Sequence, residues 1–312
     1  TSFKTGISFA SAFTYNRKYT AAPASKNRRR RRRCEPVERK SGKRSWTMAD
    51  WNKTRNFFSQ QLDRWWRDCC VAGGFLTRLP FPAPKDGAGK GALAGSSRAF
   101  PVIGAAVGAI AGLSLMVVAG LDLHPLACAF VALAVSALVT GALHEDGLAD
   151  VADGFGGGET KVKKLKIMKD SRIGAFGVLA VVFSVGIRAG ILGGLPSPGM
   201  AALALIAAAV LSRGLLPAVM AVMDPARKSG LAFRAGTPDQ ESWVTALVLG
   251  GLLGFLFLGP GGGLMALAMA IIAVAALAWL AERQVGGFTG DVLGAQQQAA
   301  EIAVLVAAAA AL

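Results

Sequence analysis

The chain is 312 residues long, 53% hydrophobic and only 17% charged, with a mean hydropathy of +0.45. That composition excludes an ordinary soluble domain and points to the membrane. The net charge of +15 does not indicate nucleic-acid binding, because residues 1–47 hold 14 Lys/Arg against Glu35 and Glu38, a net of +12, and the remainder nets only +3.

Residues 1–47 run through Arg28–Arg33 and contain no apolar stretch able to pack. They are expected to be disordered, either as a leader ahead of Met48 or as a basic tail for acidic lipid or RNA. The four cysteines, Cys34, Cys69, Cys70 and Cys128, form no CxxC pair, and His124 and His144 are the two histidines, so neither a zinc set nor a disulfide framework is expected. Residues 48–100 follow as a second region. Trp51, Phe57, Phe58, Leu62, Trp65 and Trp66 recur at helical spacing among Lys and Arg, which fits a helix in the membrane interface or one packed on the spans. A loop is expected from Phe75 to Pro82 and through the Gly/Ala-rich stretch behind it.

Residues 101–312 should form an all-α, polytopic domain of about six to seven transmembrane helices, since a span needs roughly 20 apolar residues. Pro101–Leu121 and Pro125–Leu143 predict a hairpin, followed by spans near Ala175–Leu195 and Met200–Met223. Trp243–Ala281 has room for two spans, broken at Gly259-Pro-Gly-Gly-Gly263, and Val292–Leu312 completes a seventh. All Lys and Arg outside the spans fall before the first span or in the loops at 144–174, 224–242 and 282–291, and the alternate loops hold none. The positive-inside rule therefore places the charged loops in the cytoplasm.

The chemistry is expected on that face. On a helix, Asp146, Asp150 and Asp153 are spaced i, i+4, i+7 and share one side. Three like charges there repel unless a divalent cation sits among them, and Mg²⁺ fits oxygen ligands that bridge to phosphate; the alternative is a solvated helix end. Glu145 projects about 100° from Asp146 and sits at the margin of the metal-ligand set. His144 is either a catalytic group or an interfacial hydrogen-bonding residue. Phe155-Gly-Gly-Gly158 is flexible enough to bring amides near a phosphate. Asp170 and Arg172 lie at the mouth of the third span.

Arg188 and Arg213 lie inside spans, where an unpaired charge costs several kcal/mol. Arg213 is read as a phosphate ligand and Arg188 as half of a structural ion pair. Arg227 adds a guanidinium suited to phosphate. Thr289 and Asp291 add a hydroxyl and a carboxylate on the same face, with Asp291 also readable as a helix N-cap.

Taken together, Phe75-Leu-Thr-Arg-Leu-Pro80, Phe100-Pro-Val-Ile-Gly104, His144-Glu-Asp-Gly-Leu-Ala-Asp150-Val-Ala-Asp-Gly154, Lys169-Asp-Ser-Arg-Ile-Gly174, Ala226-Arg-Lys-Ser-Gly-Leu231 and Gly287-Phe-Thr-Gly-Asp-Val-Leu-Gly-Ala295 make the chain resemble the cobalamin synthase family, the adenosylcobinamide-GDP ribazoletransferases. Glu145 departs from the family's more often apolar residue. The resemblance implies that adenosylcobinamide-GDP and α-ribazole, or its 5′-phosphate, combine to give adenosylcobalamin, or its 5′-phosphate, and GMP, with the phosphoryl group passing to the ribose 5′-hydroxyl.

On this reading Asp146, Asp150 and Asp153 hold Mg²⁺, and Arg172, Arg213 and Arg227 neutralise the departing phosphate. The base is Asp146, Asp170 or His144. The lipid bilayer is a partner, nucleic acid is not, and association with other enzymes of the pathway is expected. Two alternatives are a CDP-alcohol phosphotransferase, whose aspartate pattern fails after Asp150, and a transporter, which should carry a carboxylate in mid-span where none is expected here.

Overall fold

The computed structural model describes residues 48–83, 89 and 91–311. The tail of residues 1–47, with Arg28–Arg33 and Cys34, lies outside the described residues. Among those described the fold is all-α: α1 (Met48–Leu76), α2 (Ala92–Gly95), a short 3-10 turn at Ser97–Ala99, α3 (Phe100–Ala119), α4 (Pro125–Thr140), α5 (Leu143–Gly157), α6 (Lys161–Ile167), α7 (Ala175–Gly194), α8 (Pro198–Val222), α9 (Leu231–Ala235), α10 (Gln240–Val285) and α11 (Gly290–Ala311).

Five of these helices are long and apolar enough to cross a membrane, and the pair α4 and α5, bent by 91° at its break, is either a sixth, broken span or a re-entrant segment. The 46 residues of α10 would extend about 69 Å if straight, more than twice a bilayer core. Gly259, with φ 70°, breaks it. A Cβ on Gly263 would touch Phe255, and one on Gly251 would touch Leu267, so the two halves run back along each other. The predicted break in this segment is present, and α10 is a helical hairpin.

α8 forms the centre. Its small residues, among them Ala204, Ala207, Ala208 and Gly214, are buried and let α3, α10 and α11 approach closely, the packing available to helices in lipid, where no hydrophobic force distinguishes neighbour from solvent. The outward faces of the spans expose large apolar residues such as Leu113, Val182, Phe183, Leu256 and Ile272, as lipid contact requires.

Three expectations change. The second span does not run straight into the acidic motif: Gly141 and Ala142 both adopt left-handed conformations, ending α4 and starting α5 in a new direction. The helix carrying the tryptophans continues through Leu76, so the loop begins later than Phe75. Phe155–Gly157 close the helical part of the glycine run, leaving Gly158 as its extended cap rather than an open amide loop. α1 exposes Trp51, Phe58, Leu62 and Trp66, while Arg98 stacks 4.9 Å from the Trp65 ring and pairs with Asp68 at 2.6 Å. Cys69, Cys70 and Cys128 are free thiols.

Candidate active site

The charged loops meet at one end of the bundle. Ala226 N–H donates to the Phe288 carbonyl at 2.8 Å and Phe288 N–H to that of Asp224 at 3.0 Å, so a short parallel bridge joins the α8–α9 and α10–α11 connections. Lys164 hydrogen-bonds Gln284, tying α6 to the end of α10.

α5 lies against the start of α11 because both present glycine at the crossing. A Cβ on Gly147 would stand 2.8 Å from the Asp291 carbonyl oxygen, and one on Gly294 3.3 Å from the Gly147 Cα. This approach brings Asp146 and Asp150 beside Asp291, and Asp150 lies within electrostatic reach of Asp146, Asp153 and Asp291. Gly147→Ala is expected to push α5 from α11 and destabilise the protein by about 1–3 kcal/mol, the usual cost of overpacking. A fall in thermal midpoint together with reduced turnover checks this.

The individual side chains then divide. Asp146 is exposed and Asp150 partly so. Both carboxylate oxygens of Asp153 are taken by backbone, accepting from Gly174 N–H at 2.6 Å and Gly177 N–H at 2.8 Å, which makes Asp153 the cap of α7. Thr289, fully buried, accepts from Val292 N–H at 3.2 Å and donates to Asp291 Oδ2 at 3.1 Å. Thr289, not Asp291, therefore caps α11, and Asp291 is held ready on the same face.

Arg227 reaches Asp291 at 3.4 Å, and its Nη1 is buried without a partner, an unmet charged donor beside three carboxylates. Asp170 and Arg172 pair at 2.7 Å; the Arg172 hydrogen bonds hold the exposed Asp170 carboxyl at about 2.

Glu145, Arg188 and Arg213 turn away from this face. Glu301, in the middle of α11, accepts from Arg188 at 2.8 Å and from Arg213 at 3.1 Å. Gln297 Nε2 donates to Glu301 at 2.6 Å, and Arg188 also meets Glu145 at 3.4 Å. Gln298 bridges Glu145 and Ser184 at 3.1 and 2.9 Å. Arg188 thus occupies the structural ion pair expected of it, while Arg213, 1% exposed, lies within the same network. The expectation that no carboxylate is buried in mid-span is overturned by Glu301, 7% exposed. Its signal was available: two arginines inside spans require a counter-charge.

Two cavities open side by side around Asp146. One, of about 270 Å³, is polar and lined by Asp146, Asp150, Lys169, Asp170, Ser171 and Arg172. The other, of about 150 Å³, is walled by Phe75, Phe100, Leu216, Met220 and Leu293, with His144, Asp146 and Asp291 among its lining. His144 is 3% exposed and its Nε2 has no partner.

Among the described residues no three His, Cys, Asp or Glu side chains form a ready metal cage. The donor set beside the polar cavity is all oxygen, which suits Mg²⁺, an ion usually held by one or two carboxylates with water and substrate phosphate completing its shell.

Comparison with known proteins bears on what this arrangement serves. Residues 68–309 match the family model described as cobalamin-5-phosphate synthase. The protein named adenosylcobinamide-GDP ribazoletransferase of Bradyrhizobium diazoefficiens is 46% identical over 243 residues, 78% of this chain and 93% of that protein. Proteins of the same name from Rhizobium etli and Azorhizobium caulinodans are each 44% identical, covering 78% and 77% of this chain and 97% and 94% of their own lengths. No solved structure matches the chain. The chain belongs to the cobalamin-5-phosphate synthase family.

Proposed function

We propose that this protein joins adenosylcobinamide-GDP to α-ribazole or its 5′-phosphate, releasing GMP, as the last assembly step of adenosylcobalamin. The observation that carries the reading is the carboxylate group Asp146, Asp150 and Asp291 beside the unpartnered Arg227 Nη1, on a chain that covers 93% of a relative bearing that name. A ribose hydroxyl attacks the cobinamide phosphate; a new O–P bond forms, the pyrophosphate P–O bond breaks, and GMP leaves with the bridging oxygen. A product named cobalamin-5-phosphate already carries phosphate on O5′. The attacking oxygen is therefore a ring hydroxyl of the ribose, which replaces the 5′-hydroxyl of the sequence reading.

Asp150 and Asp291 would hold Mg²⁺, which when bound neutralises the pyrophosphate. Arg227 and Arg172 bind the phosphate oxygens. Asp146, common to both cavities, accepts the hydroxyl proton. Asp170 is a weak base at about 2, since a useful base has a pKa nearer the working pH. The distribution of Lys and Arg supports a cytoplasmic charged face, in what we take to be a bacterial inner membrane. The CDP-alcohol transferase and transporter readings are not favoured. The carboxylate that a transporter would use, Glu301, is occupied by two arginines.

The test is production of GMP and cobalamin by the purified, liposome-reconstituted protein. Product should form with Mg²⁺, disappear with chelator and return on adding Mg²⁺ back. Metal-independent turnover removes the metal assignment, and no product from folded protein removes the transferase.

A further inference from the structure

We infer that Lys169 is a further catalytic residue, whose ammonium takes up the negative charge that builds on the GMP phosphate as that group leaves. The inference rests on the transferase reading above and adds a residue to its machinery. The polar cavity has two walls of opposite character. One is α5, with Asp146, Ala149 and Asp150; the other is the connection from α6 to α7, with Lys169, Asp170, Ser171 and Arg172. In an in-line displacement the entering and leaving oxygens lie on opposite sides of phosphorus. Asp146 receives the hydroxyl proton on the acidic wall, so the leaving phosphate faces the basic one. The P–O bond breaks with its electron pair on the GMP oxygen, and Lys169 donates a hydrogen bond to that phosphate without giving up its proton.

The charges on the basic wall single out Lys169. Arg172 is tied to Asp170 through two contacts, at 3.0 and 2.7 Å, so that pair brings no net charge, although the remaining guanidinium nitrogen can still reach an oxygen. Lys169 is exposed and, among the described residues, enters no ion pair or side-chain hydrogen bond. Its neighbouring lysines are committed elsewhere. Lys161 Nζ lies 2.6 Å from where a Cβ on Gly286 would stand, at the C-terminal cap of α10, where a cation suits the helix dipole. Lys163 pairs with Glu159 at 3.9 Å, and Lys164 hydrogen-bonds Gln284. Lys166 is exposed on α6 and does not line the cavity. The residue before Lys169 fixes its place: Met168, 2% exposed, fills the hollow left by Gly154 on α5, where a Cβ would stand 2.5 Å from the Met168 Cγ. That contact seats the basic turn against the helix of Asp146 and Asp150.

The experiment compares Lys169→Met with wild type in the liposome-reconstituted protein. The kcat should fall about 10- to 100-fold, less than for an enclosed oxyanion donor because water and salt screen an exposed cation. KM for adenosylcobinamide-GDP should change by less than about threefold, since the charge develops only on the way to the transition state. GMP carries the phosphate charge that the donor lacks, so its inhibition constant should rise about tenfold, as for loss of one charge-assisted hydrogen bond. Guanosine, which has no phosphate, should inhibit both proteins alike. Lys169→Arg should recover most of the kcat, and both variants should keep the wild-type thermal midpoint because the side chain is exposed. Lys166→Met removes the same charge three residues earlier and should stay within about twofold of wild type. Lys169→Gln replaces Lys169→Met if the methionine variant does not fold.

Wild-type kcat in the folded Lys169 variant overturns the inference. So does a fall in kcat with GMP inhibition unchanged, which marks a structural role, or an equal fall in Lys166→Met, which marks the charge of the whole segment. Each of these leaves the transferase standing if wild type turns over. A wild type that releases no GMP removes both.

Discussion

Asp146→Asn is expected to lower turnover by about 10²–10⁴-fold, the range for losing a general base, while the protein remains folded. Its carboxylate is exposed and lines both the polar and the apolar cavity, so substitution removes a proton acceptor without opening the core. Asparagine is nearly isosteric but binds a proton poorly. The loss should therefore fall on kcat, with KM for both substrates little changed and no rescue by excess Mg²⁺. Asp150→Asn should behave differently, with activity partly restored by raising Mg²⁺, because that side chain supplies metal oxygen. Asp153→Asn should fail earlier, in folding, since Asp153 caps α7 through two backbone amides. A fully active Asp146→Asn protein would leave the family assignment intact and remove Asp146 from the chemistry.

Glu301→Ala should be the most destabilising single change in the bundle, by about 3–5 kcal/mol, the cost of removing one partner from a buried ion pair. Glu301 holds Arg188 and Arg213 at 2.8 and 3.1 Å, and all three side chains are buried. With Glu301 present, two arginines and two glutamates, counting Glu145, balance. Without it, Arg213 has no carboxylate and Arg188 only Glu145, at 3.4 Å. Thermal unfolding in detergent reads the effect directly.

The double variant Arg213→Met, Glu301→Gln restores neutrality and keeps the Arg188–Glu145 pair. It should therefore be more stable than the single variant Glu301→Gln, a non-additivity that marks direct coupling. Equal losses in the single and double variants would show that Glu301 contributes by packing, not charge. Because Glu145 belongs to this network and precedes Asp146, the ion cluster also fixes the angle at which α5 presents its aspartates.

Much of the fold was legible because its signals are local. Span length and hydropathy depend only on neighbouring residues, as does the glycine-proline break that turns α10 back on itself. The separation of charged from uncharged loops likewise gave the set of segments that meet at one face. The aspartate spacing in Asp146, Asp150 and Asp153 was readable for the same reason, helical period being a property of the sequence.

What those aspartates do was not readable, because it depends on partners far along the chain. Only tertiary structure gave Asp153 to the amides of Gly174 and Gly177, and Asp291 to Asp146 and Asp150 through the Gly147–Gly294 contact. Glu301 looked like part of an apolar tail until Arg188 and Arg213, on two other helices, were seen to converge on it. The sequence by itself determined a membrane bundle with a carboxylate face. Tertiary packing decided which charges neutralise one another inside it and which remain free for substrate, because Coulomb and hydrogen-bond energies depend on distance in space, which sequence separation does not record.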